Sequence, residues 1–344
     1  MYGQRGWRSR QRNLTLGRMA ASAGVTAFVT GAGGFIGMEL VKVLVARGHH
    51  VLGLTRSLES AARVRRAGAI AVMGDLLEPG VWQDEAAAEW VFHLVPHRVC
   101  RSRLTRRRAG DITRTRVLMD AHLLDAVAAG TTRRLIYLGD TSCYGAHGRR
   151  AITEDVPPRR SAWGDCFAPA LSRLEGYFVA GLPIITALAG WVYGHAGWFR
   201  DGVIDRVMAG RRVLQFGKTG PWISPIHLHD CAAALVHLAE RAECGRRYFL
   251  ANDYPVQLNE LAEVFSRVSG RPLRVCRLPA SAAPVAMGPV IGELMRSDAV
   301  FSNIRLRGIG FRFSYPTLAE GMAQILDAID EERLAPSSER TSRG

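Results

Sequence analysis

The segment Thr30-Gly31-Ala32-Gly33-Gly34-Phe35-Ile36-Gly37 constrains this chain more than any other. It follows an apolar run of β character, Val25-Thr26-Ala27-Phe28-Val29, and leads into a helical pattern from Met38 to Arg47. A lone glycine triplet marks many ordinary turns. Strand, triplet and helix in this order form a seat for a pyrophosphate. Gly31 permits the tight turn out of the strand, and Gly34 admits a phosphate where a Cβ would collide. Gly37 lets the helix pack close to the sheet. The helix N-terminus adds free N–H groups and a partial positive charge. The segment predicts a dinucleotide site contacted by Gly31, Gly34, Phe35, Ile36 and Gly37; the alternative is a merely structural turn.

From Val25 onward strands and helices alternate. Val51-Leu52-Gly53-Leu54 reads as the second strand, Ala69 to Met73 as the third, Trp90 to Leu94 as the fourth and Arg134 to Leu138 as the fifth. Helical patterns fill the gaps, including Val117 to Ala129 before Gly130. This alternation predicts an α/β fold, a right-handed doubly wound parallel sheet with ligands at the carboxyl ends of its strands. Of the 344 residues, 25–190 are expected to form the dinucleotide-binding domain. Residues 191–335 are expected to be mainly a smaller C-terminal substrate lobe, with some segments returning to the core. A further helix is expected near Ala168 to Ala180 and another after His227-Leu228-His229-Asp230.

Residues 1–24 hold Arg5, Arg8, Arg10, Arg12 and Arg18 and no acidic side chain. They read as a disordered basic tail, with a targeting arm or a start at Met19 as alternatives; residues 336–344 read as a second tail. The formal net charge is +14, nearly all of it from arginine, because Lys42 and Lys218 are the only lysines. With no zinc-finger, homeodomain or RNP-like motif, the skew does not point to nucleic acid. Cys100, Cys143, Cys166, Cys231, Cys244 and Cys276 lack any Cys-x-x-Cys spacing, which argues against a metal site or disulfide framework and for reduced thiols in the cytoplasm. Gly176 to Phe199 carries no charged residue and is long enough to span a bilayer. Gly181-Leu182-Pro183 divides it, so it reads as a helix end and a buried strand, Ile184 to Ala189.

Further motifs follow in a fixed order: Gly74-Asp75-Leu76, Val91-Phe92-His93-Leu94, Tyr144-Gly145, Val192-Tyr193-Gly194, His227-Leu228-His229-Asp230 and Gly310 to Thr317. Together with the glycine segment they resemble the extended short-chain dehydrogenase/reductase family, the NAD-dependent epimerase/dehydratase group, over residues 25–330. The resemblance implies a Rossmann-like sheet, with Asp75 and Leu76 beside the adenine ring and the end of the second strand selecting the cofactor. That end reads Leu54-Thr55-Arg56-Ser57, with no acidic residue for a ribose 2′-OH. Arg56 suits a 2′-phosphate, so NADP(H) is expected over NAD(H), the alternative being an ordinary surface arginine. His227 and His229 are expected to start a helix rather than to bind metal.

The resemblance fails where the family's chemistry sits. A Ser or Thr is normal after the fifth strand; alignment on Tyr144-Gly145 puts Asp140 there, with Thr141 and Ser142 following. The family's Tyr-x-x-x-Lys pair cannot exist here, because Met38 and Leu214 precede the two lysines by four residues. Alignment on Glu175 puts Phe167 and Leu171 at those two positions. Reduction of a carbonyl needs a proton donor, and a tyrosine serves well only when a cation stabilises its phenolate. Asp140 is the leading substitute acid, Thr141 and Ser142 can orient a substrate hydroxyl, and His97 is a second acid–base candidate. Against this, Asp140 also suits a loop cap and His97 an exposed position. Cys143 and Cys166 lack an evident His partner and read as packing residues. Arg98, Arg101, Arg103, Arg106, Arg107, Arg108, Arg114 and Arg116 can draw an anionic substrate to the cleft, or form a solvated loop and helix face.

The expected function is an NADP(H)-dependent reductase or epimerase acting on a small molecule, with Asp140 and Thr141 in the altered site. A catalytically silent dinucleotide sensor and a non-redox isomerase, cyclase or dehydratase are the alternatives. A homodimer is compatible with the sequence; a nucleic acid partner and a membrane span are not expected.

Overall fold

Seven short strands, most of them apolar on both faces, lie side by side and all parallel. They are β1 (Thr26–Thr30), β2 (His50–Thr55), β3 (Ile70–Met73), β4 (Trp90–His93), β5 (Arg134–Asp140), β6 (Ile184–Ala189) and β7 (Arg247–Leu250). Their order is β7-β6-β5-β4-β1-β2-β3. The computed structural model describes residues 24–94 and 103–334. The direction of winding reverses between β1 and β4, which opens a crevice at the carboxyl ends of the strands.

Helices cover both faces, as a buried parallel sheet requires. On one side lie α1 (Phe35–Ala46), α2 (Leu58–Arg66) and α5 (Leu228–Arg241), on the other α3 (Arg106–Ala128) and α4 (Ala162–Val179). Leu40, Val41, Ile136 and Leu235 typify the first core layer, and Phe28, Leu123, Phe167 and Leu188 the second. A third cluster, with Phe199, Ile204, Phe265 and Ile325, joins α6 (Leu258–Val268) and α7 (Leu318–Leu334) to the short segments after β6. The run from Gly176 is the end of α4 followed by β6, which is buried along its whole length. No helix among the described residues is long and apolar enough to cross a membrane.

Two helices start earlier than the sequence suggests. α3 begins at Arg106, where the Thr105 hydroxyl accepts a hydrogen bond from Arg108 N. α4 begins at Ala162, capped by Ser161 Oγ from Gly164 N. Pro169 lies inside α4, and a proline is a natural first-turn signal, so it masks the turns before it. The start of α5 explains why two distant motifs occur together. Asp230 accepts hydrogen bonds from Ser314 N at 2.7 Å and Tyr315 N at 3.0 Å, fastening the segment after Gly310 to the first turn of α5.

α1 and α5 are also joined by His229 Nδ1 and Glu39 Oε1 at 2.9 Å. The hydrogen bond to Glu39 raises the His229 pKa above its usual 6.5. Burial works against the Glu39 carboxylate, yet His229 and Lys42 hold it below its usual 4.5. The histidine's contribution is present below pH 6.5 and fades as pH climbs through its raised value; the glutamate's is present above 4.5 and fades as pH drops through its lowered value. The excess in Tm of the native protein over Glu39→Gln should therefore peak between these pH values and shrink at pH 8. An excess that stays constant across the range would show that the pair carries no such linkage.

Candidate active site

The turn after β1 has the shape that the glycines require. Gly31 adopts φ +67°, open to glycine and strained for other residues. A Cβ on Gly37 would lie 2.1 Å from the Gly31 carbonyl oxygen, so α1 can begin only with glycine there. Gly34 N donates to Gly31 O at 2.9 Å, closing the turn. Phe35 packs against the backbone at Gly194 and Gly197, and Ile36 packs against the core. At the neighbouring strand ends, Arg56 Nη1 lies 3.5 Å from Asp75 Oδ2, while Asp75 Oδ1 accepts from Leu77 N. Leu76 is buried. Arg63, not anticipated from the sequence, reaches from α2 to donate to Gly33 O at 3.1 Å and Ser60 Oγ at 3.2 Å. Its Nε is buried with no partner among the described residues. A turn of three glycines and one buried alanine, with the Arg63 guanidinium against it, fits an anionic dinucleotide.

At the carboxyl end of β5, Asp140 accepts from Ser142 N at 3.0 Å, from the Ser142 hydroxyl and from Trp163 Nε1 at 3.1 Å. It caps the turn Thr141–Tyr144, so its loop-capping role is present, whatever else it does. Thr141 is nearly buried, lines an open cleft, and makes no hydrogen bond through its hydroxyl among the described residues. Tyr144 is fully buried, stacked edge-on against Phe249 and Phe301. Gly145, at φ +69°, lets the chain turn past the Arg159 carbonyl. Cys143 is buried, and burial followed by the Asp140 charge pushes its thiol pKa far up, so it is no thiolate nucleophile. Phe167 and Leu171 are both buried on α4. His97 lies outside the described residues, as do Arg98 and Arg101.

The arginine-rich stretch divides. Arg103, Arg106, Arg107 and Arg114 are exposed, but Arg116 is 3% exposed. Its Nε donates to Asp120 Oδ1 at 3.0 Å and Tyr137 OH at 2.9 Å, and its Nη2 to Leu138 O at 3.2 Å. The guanidinium lies 4.6 Å from the Tyr137 ring centre and 5.6 Å from that of Phe167. Burial alone would favour loss of its proton; Tyr137 and Asp120 raise its pKa instead. Burial disfavours the Asp120 charge in turn, but Arg116 and then His93 hold its pKa down. Asp120 is thus an acceptor, so His93 Nε2 donates to it at 2.8 Å. His93 Nδ1 then accepts from the Thr30 hydroxyl, also at 2.8 Å. Burial lowers the His93 pKa further than Asp120 raises it, which keeps the ring neutral. The clue in the sequence was the spacing Ala109, Arg116, Asp120, Leu123, Val127, one helical stripe in which a charged pair replaces apolar residues.

The cleft beside Thr141 opens to solvent. Trp163, Trp191, Trp222 and Phe301 form its walls, with Glu293 and Ser297 at one side. Glu293 accepts from Ala162 N through both carboxylate oxygens, at 3.2 and 3.3 Å. Trp222 is held through its backbone N–H by Asp298 Oδ1 at 2.9 Å. No group of three or more His, Cys, Asp or Glu side chains suited to a metal occurs among the described residues.

Residues 27–251 match the NAD dependent epimerase/dehydratase family. The chain belongs to this family. A 3-diazoavenalumate denitrifying reductase of a Streptomyces species is 28% identical, over 86% of this chain and 98% of that protein. A 4-hydroxy-2-methyl-3-oxo-4-farnesyl-3,4-dihydroquinoline-1-oxide ketoreductase of Stigmatella aurantiaca is 27% identical, over 75% of this chain and 78% of its own. The UDP-glucuronic acid 4-epimerase of Bacillus cereus, solved with UDP-glucuronic acid and NAD, shares the fold. Its TM-score is 0.75 at 17% identity, covering 89% of this chain and 99% of that one. This family member is thus an NAD(P)-dependent enzyme of the oxidoreductase/epimerase type, built on a seat for a nicotinamide dinucleotide.

Removal of one charge from the buried pair should be costly. Asp120→Ala leaves the guanidinium without a counter-ion and should lower stability by about 3–5 kcal/mol, read as a fall in the urea midpoint. Arg116→Met combined with Asp120→Leu should recover much of that loss. A single variant with an unchanged midpoint would refute the pairing as a structural constraint.

Proposed function

We propose that this enzyme is an NADP(H)-dependent reductase of a small molecule, working with a non-standard active site. The observation that carries the reading is the Thr141 hydroxyl, without a partner among the described residues and lining an open cleft at the end of β5. That strand lies two places from the strand that feeds the glycine turn. The two relatives, both reductases by name, favour reduction over epimerisation.

Gly31, Gly34 and Gly37 leave room for the pyrophosphate, and Asp75 and Leu76 flank the adenine site. Arg56 is 61% exposed on its side chain and has donors to spare beyond its contact with Asp75, which supports pairing with a 2′-phosphate. When bound, NADP(H) supplies or takes up a hydride at the nicotinamide ring. Thr141 holds the substrate oxygen by donating its hydroxyl proton in a hydrogen bond. Asp140 fixes the loop through Ser142 and fixes the Trp163 ring, and is the acid–base candidate behind Thr141. Phe167 has no proton to give, so the proton for a reduced oxygen comes from water in the cleft, with Thr141 orienting that oxygen. Substrates whose reduced form is easily protonated are favoured by such a site.

Two measurements test this. Arg56→Ala should weaken NADPH binding by about 10–100-fold, roughly 1.4–2.7 kcal/mol, and leave NADH within about twofold. Equal losses for both cofactors, or none, would remove the NADP(H) assignment. Thr141→Val should lower kcat/KM for a reduced substrate by about 10–100-fold while Thr141→Ser retains it. Cofactor binding without turnover of any carbonyl substrate would favour the silent dinucleotide-binding protein instead.

A further inference from the structure

We infer that the cleft beside Thr141 takes a planar conjugated ring carrying a hydrogen-bond acceptor and no negative charge, in preference to a nucleotide sugar. The inference rests on the reading of this cleft as the substrate site and narrows the substrate class. Three indole rings converge here from separate parts of the chain, and each is held. The Trp163 N–H is committed to Asp140 at 3.1 Å, which fixes its ring plane. Trp191 packs edge-on against Trp198 at 5.3 Å, and the Trp198 N–H is tied to Val192 O at 2.7 Å. The Trp222 ring is backed by the Arg149 guanidinium at 6.0 Å, and Phe301 completes the wall. Fixed aromatic walls favour a flat, polarisable ligand, because stacking then costs little side-chain entropy.

Charge points the same way. No arginine or lysine lines the cleft among the described residues, and Glu293 supplies a carboxylate. A diphosphate would bring two negative charges next to that carboxylate with no cation among the described residues to receive them, whereas diphosphate recognition relies on arginine, lysine or free backbone N–H groups. One such backbone group, Ala162 N at the start of α4, is already occupied by Glu293. The indole N–H of Trp222 is buried and without a partner among the described residues. A buried donor of this kind costs free energy until an acceptor reaches it, and a ring carbonyl or ring nitrogen supplies one.

The test is equilibrium binding by calorimetry in saturating NADP⁺, where no reduction can occur. The probes are 2-acetylnaphthalene, 2-naphthoate and UDP-glucose. The neutral ring ketone should bind at least about 10-fold more tightly than the carboxylate of equal size, and more tightly than UDP-glucose. Glu293→Gln should narrow the gap between the two naphthalenes. Trp222→Ala should weaken 2-acetylnaphthalene by about 10-fold, and Trp222→Phe, which keeps the aromatic face but loses the N–H donor, should weaken it by a smaller factor. The NADPH affinity of each variant, measured alongside, reports folding and keeps the cofactor reading separate from this one. Tighter binding of UDP-glucose, equal binding of the two naphthalenes, or no effect of Trp222→Ala on a folded protein would overturn the inference.

Discussion

The Arg116 guanidinium, neutralised by Asp120 beneath the active-site floor, is the interaction on which the arrangement of the site depends. Through Asp120 it reaches His93 and Thr30, and through its own donors Tyr137 and Leu138. One ion pair therefore ties the carboxyl ends of β1, β4 and β5 to α3. These three ends carry the glycine turn, the segment after Leu94 and the Thr141 loop. The buried side-chain polar atoms of Thr30, His93, Arg116, Asp120 and Tyr137 all find partners, which is the condition under which a buried charge network specifies one geometry.

The same network bears on the chemistry above it. The Phe167 ring lies against the guanidinium and is buried, so its edge fills space with no group that can ionise. A permanently charged cation sits below, out of reach of solvent, and the polar groups that line the cleft include Thr141 and Ser142 from the turn after β5, with Ser161, Glu293 and Ser297 from elsewhere. In the proposed reading, substrate orientation falls to Thr141, with Asp140 and Ser142 fixing its loop.

Much of this was legible in the sequence because it rests on local rules. The glycine segment announces its own turn, β6 announces itself by an apolar run cut off by Gly181-Leu182-Pro183, and the motif order identifies the sheet. Three features were not legible, for reasons of distance. Arg116 reads as one of eight surface arginines until the helix places it on the apolar stripe with Asp120. Pro169 hides the first turns of α4, and with them the capping Ser161 and the position of Trp163. The cleft is assembled from residues as far apart as Thr141, Trp222 and Glu293, and no periodicity links them. The positions of Asp140, Thr141 and Phe167 came from motif alignment; the partners of Asp140 and Phe167 came only from the fold.

Asp298 gives the molecule a division of labour. Its carbonyl oxygen accepts from His147 N and Gly148 N, just past the Thr141 turn, while its side chain holds Trp222 N. One residue thereby hangs an aromatic wall from the rim of the nucleotide-binding sheet without reaching into the sheet itself. Selection can redraw that wall, changing Trp222, Glu293 or Phe301, while the ion pair under the floor and the glycine turn stay as they are. The aromatic wall at Trp222 and the glycine turn are thus held by different contacts on separate stretches of chain, so a change in one leaves the other's hydrogen bonds in place.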